Sequence, residues 1–161
     1  MKKNKGFTIV EMLVYMGLLT GFLVVLTQIF LSSLDVQLAT ERTSSVAADG
    51  RYILSRLEYD VARAQSITVP VALGGLADSL QLTIAGIPHT YQVDNGTLSL
   101  VNALGTNALN GVGSRVSGFS VQRLGNAGGK ESARVSFILT STTEGPIGPE
   151  VRTYQTTIGV R

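Results

Sequence analysis

The chain has 161 residues, 44% of them hydrophobic, with 13 Lys and Arg against 11 Asp and Glu. It contains no cysteine and a single histidine, His89, which excludes a disulfide framework, a cysteine zinc site, a thiol nucleophile and any two-histidine metal site. Three of the basic residues, Lys2, Lys3 and Lys5, stand in the first six positions; without them 10 basic face 11 acidic residues, a net charge of −1, so the basic balance describes the N-terminus and not a nucleic-acid surface.

The first long feature is an uncharged stretch of 23 residues from Met12 to Leu34, MLVYMGLLTGFLVVLTQIFLSSL. As a helix it spans roughly 35 Å, enough for a bilayer core of about 30 Å. A secretory signal peptide has a shorter apolar stretch followed by a small-x-small cleavage site, and this segment has neither property. Basic residues precede it, and Asp35, Glu41 and Arg42 follow it. The positive-inside rule therefore predicts a single pass through the cytoplasmic membrane, with the N-terminus in the cytoplasm and everything after about Leu34 outside. Gly17 and Gly21 form a G-x-x-x-G pattern within the run, a candidate surface for close helix packing.

Just before that run stands Lys5-Gly6-Phe7-Thr8-Ile9-Val10-Glu11. With its basic leader, this segment resembles the recognition sequence of the type IV prepilin and pseudopilin family. The resemblance implies cleavage after Gly6 by a prepilin peptidase, N-methylation of the new first residue Phe7, and a filament-assembly role for Glu11. A carboxylate beside a membrane segment needs a partner. The positive amine created at Phe7, together with the positive end of the helix dipole, supplies one, either in the same chain at i to i+4 or from a neighbouring subunit. The family reading prefers the neighbour, because that pairing sets the axial register. Unlike many major pilins, this chain has no proline in the run, Pro70 being the first, so no proline kink is predicted there.

After Leu34, Val46, Gly50, Ile53, Leu57, Val61 and Ala64 recur at helical spacing. They predict an amphipathic helix over 35–66 with one apolar face. Arg42, Asp49, Arg51, Arg56, Glu58, Asp60 and Arg63 fall on its other sides and read as solvated. The phrase from Leu57 to Ile67 also resembles the helix end of J-type minor pseudopilins. From residue 79 the period becomes two: Ser79 to Ile84, Thr90 to Val93, Thr97 to Val101, Val116 to Leu124, Ala133 to Thr140 and Val151 to Val160 predict about six strands, with a hairpin at Asp94-Asn95-Gly96. Residues 105–113, 125–129 and 145–149 read as loops. The expected fold is α+β and pilin-like: a leader (1–6), the membrane half of one long helix (7–34), and a globular part (35–161) whose helix packs on an antiparallel sheet formed by 67–161.

Several candidate motifs fail. The stretch from Gly125 to Glu131 resembles a phosphate-binding loop, but Leu124 occupies the first glycine position and Glu131 the magnesium-binding hydroxyl position. Gly111-Val112-Gly113-Ser114-Arg115-Val116 starts like a dinucleotide fingerprint and ends on Val116 where a glycine belongs. Asn95-Gly96-Thr97 fits a glycosylation acceptor and is explained by its hairpin tip. His89 reads as a surface residue, and no carboxylate pair is assignable to acid and base roles from spacing. No enzymatic activity, cofactor or metal is expected. The resemblance implies a structural subunit, minor rather than major because the cysteine pair and membrane-helix proline are missing, of a type IV pilus or of a type II secretion or competence pseudopilus. Its implied partners are the prepilin peptidase, other pilins, the inner-membrane assembly platform and lipid, with nucleic acid involved only indirectly in a competence system. The competing reading is a membrane-anchored extracytoplasmic binding or sensor domain.

Overall fold

Residues 8–126, 129–144 and 148–161 are described by the structure, a computed structural model. The chain begins with one helix, α1 (Ile9–Arg63), followed by β1 (Ser66–Val69), β2 (Leu76–Ala77), β3 (Ser79–Ile84), β4 (Ile87–Asp94), β5 (Thr97–Asn102), β6 (Gly105–Ala108), β7 (Ser114–Gly125), β8 (Glu131–Ser141) and β9 (Val151–Gly159). The expected class, a long N-terminal helix packed on antiparallel β-structure, is the class observed. Two compact units meet between Ala39 and Thr40.

In the first unit the apolar side chains of α1 are exposed, Leu13, Leu18, Phe22, Leu26, Ile29 and Phe30 among them. The helix is long and apolar enough to cross a membrane, and none of its most apolar window is buried. Thr20 and Thr27 donate their hydroxyls to the carbonyls of Met16 and Leu23 at 2.8 and 2.9 Å, which satisfies these polar groups within the helix.

In the second unit, the remainder of α1 lays its apolar face on the strands. Val46, Ile53, Leu57 and Val61 have no solvent exposure, and burying each contributes about 1.5–3 kcal/mol. Gly50 is buried because the Tyr154 ring occupies the space its side chain would take; a Cβ there would lie 2.7 Å from Cε1. The Tyr154 hydroxyl donates to the Val46 carbonyl at 3.2 Å, and its ring stacks on Phe137 with centroids 5.3 Å apart. The helix ends where Gln65 N–H leaves the helical pattern and donates to the Thr83 carbonyl at 2.8 Å, which starts the sheet.

The strands form two antiparallel sheets, a five-stranded one in the order β1-β3-β4-β5-β6 and a four-stranded one in the order β2-β7-β8-β9. The expectation of about six strands in one sheet is corrected here. Short strands β1 and β2 are added, and β6 lies in the segment read as a loop. Alternation places Leu80, Leu82 and Ile84 of β3 and Ala133, Val135, Phe137 and Leu139 of β8 inward. Both sheets and α1 contribute to one hydrophobic cluster. Three tight hairpins organise the larger sheet, one of them joining β5 to β6 through Ala103 and Leu104, and the other two have positive φ at both central residues. Asn95 and Gly96 (φ 49° and 82°) join β4 to β5 as expected, and Ala85 and Gly86 (φ 52° and 77°) join β3 to β4. Positive φ at both central residues is the I′ geometry that matches strand twist. In β7 a bulge falls between Ser117 and Ser120, with Gly118 at φ 58°.

Candidate functional site

Gly6 and Phe7, the predicted cleavage and methylation positions, lie outside the described residues. The description starts at Thr8, which caps α1: its hydroxyl accepts from the Glu11 N–H at 3.3 Å, and its carbonyl accepts the first helical bond from Met12 N–H at 3.2 Å. Thr8 and Glu11 thus stand at the N-cap and third positions of a Thr-x-x-Glu pattern. The sequence reading missed this cap, although the pattern was present. Glu11 sits in the first turn, where the helix dipole favours a carboxylate. Its Oε1 accepts from the Tyr15 hydroxyl at 3.3 Å, one turn on. A bond of that length to a neutral donor is weak, so the carboxylate retains capacity for a cation.

Gly17 and Gly21 have open space where a side chain would be, with no atom within 4 Å of either added Cβ. Among the described residues nothing lies against them, which leaves both positions open to a packing partner.

Three polar clusters of the second unit are structural in geometry. Asp60, expected on a solvated side of the helix, is instead 2% exposed. It accepts from the Tyr91 hydroxyl at 2.5 Å and from Arg56 Nε at 2.9 Å. Burial first, and then the bond to Asp60, push the Tyr91 ionisation well above the usual range for a phenol. The i to i+4 spacing of Arg56 and Asp60 was a readable signal for the ion pair, but nothing local marked Tyr91, 31 residues on, as the third member.

Asp49, also read as solvated, straps the β6–β7 connection to α1 by accepting from Gly111 N–H at 3.0 Å and from the Ser114 hydroxyl at 2.6 Å. The Gly111 to Val116 segment is therefore a tethered turn. Arg123 donates to Glu131 and, at 2.5 Å, to the Val71 carbonyl, while Glu131 Oε2 accepts from Ile67 N–H at 3.2 Å. Hydrogen bonding from Arg123, with the Ile67 N–H adding to it, holds the Glu131 carboxyl below its usual range. So Glu131 is committed to an ion pair, not to a phosphate loop. His89 is half-buried with Nδ1 3.2 Å from the Ile87 carbonyl, rather than fully on the surface.

Among the described residues no group of three His, Cys, Asp or Glu side chains is placed to hold a metal ion. No family model, no curated protein and no solved structure matches the chain.

Proposed function

We propose that this chain is a filament subunit, a minor pilin or pseudopilin, held in the cytoplasmic membrane by the first half of α1 until it is processed and assembled. The observation that carries the reading is the start of α1. A capped first turn presents Glu11, bonded weakly to Tyr15, and leads directly into an apolar run of which nothing is buried. Such a helix is suited first to lipid and then to a bundle of like helices. An uncompensated carboxylate in either setting is costly, and a cationic N-terminus at Phe7 of an adjoining subunit removes that cost. The open sites at Gly17 and Gly21, about two to three turns further along the helix, let another backbone come close there. The second unit, an α+β head with its own core, is the part that the filament would display.

The test is chemical. Expressed with a prepilin peptidase, the mature protein should start at Phe7 and carry one additional methyl group, as read by intact mass and by the N-terminal peptide. Retention of Met1 in membrane-extracted protein would overturn the reading in favour of an unprocessed anchored domain.

A further inference from the structure

The two sheets have four edges, and three are blunted. β2 has two residues and β6 four; β1 has four, is interrupted by a bulge between Ile67 and Val69, and is followed directly by Pro70. Short length, bulges and proline are the usual means of keeping an edge from pairing with another chain. The fourth edge, β9, has nine residues, an unbroken register with β8 and no proline.

The ladder shows which backbone groups of β9 are open. Ser141 N–H donates to the Glu150 carbonyl and Val160 N–H to the Glu131 carbonyl, both at 2.8 Å. Antiparallel pairing alternates, so the even-numbered positions between those two bonds face β8. Val151, Thr153, Gln155, Thr157 and Gly159 turn their N–H and C=O groups the other way. All five residues are exposed, and among the described residues no strand lies on that side. The edge also borders a cleft of about 550 Å³, with Thr157 to Val160 and the exposed Arg161 as one wall and Glu58 and Ala62 of α1 as the other, so the cleft holds one acidic side chain, on the helix, and one basic side chain, at the strand end. Glu58 is exposed and has no ion-pair partner among the described residues.

We propose that the outer edge of β9 and the adjoining face of α1 form a docking groove for one extended segment of another polypeptide. That segment adds to the four-stranded sheet as a fifth strand and carries a Lys or Arg opposite Glu58. A bare edge beside a helix suits this occupant, because backbone bonds hold the strand and alternate side chains meet the helix. A second copy of this chain fits less well. Pairing β9 with β9 sets the strands about 4.8 Å apart, yet α1 lies over its own β9 through the Gly50 to Tyr154 contact. Two such helices need about 8–10 Å between their axes. The proposal does not rest on the filament reading.

The experiment uses the full chain in lipid nanodiscs and the blocked peptide acetyl-Thr-Val-Thr-Lys-Thr-Val-Thr-amide, with amide hydrogen exchange and anisotropy as readouts. With about 1 mM peptide, exchange should slow at Thr153, Gln155 and Thr157, while the even-numbered amides of β9 stay as they are. N-methylation of alternate peptide residues should abolish the protection. Exchanging the peptide lysine for glutamine should weaken binding about fivefold, the most that an exposed ion pair supplies, and Glu58→Lys should reverse that preference. Three results would overturn the proposal: no protection at that concentration, protection that survives N-methylation, or equal affinity for the two peptides. Protection of the odd-numbered amides without peptide, accompanied by a dimer in sedimentation, would assign the edge to a second copy and overturn the choice of occupant.

Discussion

Removing the Asp60 carboxylate tests whether the polar cluster inside the second unit acts as a unit. Asp60→Ala takes the acceptor from the Tyr91 hydroxyl, and because Tyr91 is fully buried, that hydroxyl is left unsatisfied, at a cost of about 1–3 kcal/mol. Arg56 also loses its carboxylate, but its side chain is 35% exposed and keeps water and the Tyr91 oxygen within reach. The figure for breaking a fully buried ion pair, about 3–5 kcal/mol, is therefore too large here. We expect Asp60→Ala to lose about 2–3 kcal/mol and Tyr91→Phe, which leaves the carboxylate with Arg56 alone, about 1–3 kcal/mol. The double variant strands neither group, so its loss should fall short of the sum by at least about 1 kcal/mol. Urea unfolding of the full chain in detergent micelles, followed by tyrosine near-ultraviolet dichroism, supplies all corners of the cycle. Additive losses would refute the reasoning, because they would mean that Tyr91 and Asp60 do not depend on each other. The same cluster sets an alkaline limit. The fold keeps the phenol protonated by raising its pKa, so its contribution is present below the unfolded value of about 10 and is lost as pH rises beyond it. Tyr91→Phe should flatten that alkaline limb.

Gly50→Ala should destabilise the second unit by about 1–3 kcal/mol, since the new methyl displaces Tyr154 from its stack on Phe137; unchanged thermal unfolding would show that the ring has room to move. Glu131 has a folded pKa depressed by Arg123, so its contribution is present above the unfolded value of about 4.5 and is lost as pH falls below it. Arg123→Met should therefore flatten the acid limb of the stability curve, and an unaltered acid limb would count against the ion pair. Glu11→Leu should insert in the membrane at least as well as the natural residue and be depleted from sheared filaments, because a neighbour's positive terminus would then be buried unpaired at a cost of about 3–5 kcal/mol. Glu11→Gln should be intermediate, and Thr8→Val, which removes only the cap, should assemble far better than Glu11→Leu; equal defects in Thr8→Val and Glu11→Leu would reduce Glu11 to local helix capping.

What could be read from the sequence was whatever repeats at a fixed local period or is tied to one residue's backbone preference. The apolar face of α1 emerged complete, because burial on a helix recurs every three or four residues and Val46, Ile53, Leu57 and Val61 obey that spacing. The Asn95-Gly96 turn was equally legible, because asparagine and glycine tolerate positive φ. Its twin at Ala85-Gly86 was not. Alanine disfavours that conformation, and it is adopted there because the pairing of β3 with β4 on either side imposes it. β6 escaped notice for a related reason: Gly105 to Ala108 has little apolar content and is a strand only because β5 supplies its hydrogen bonds. Asp49 and Asp60 were placed on solvated sides because the helix period states where a side chain points and not what arrives there from 31 or 65 residues away. The candidate assembly site divides along the same line. Its chemistry is compressed into adjacent positions around Glu11, so it can be read without a fold, whereas the β9 edge exists only once β8 has paired on one side and α1 has come to lie beside the other. A surface defined by backbone groups left over from a ladder has no signature in side-chain identity, and only the register reveals it.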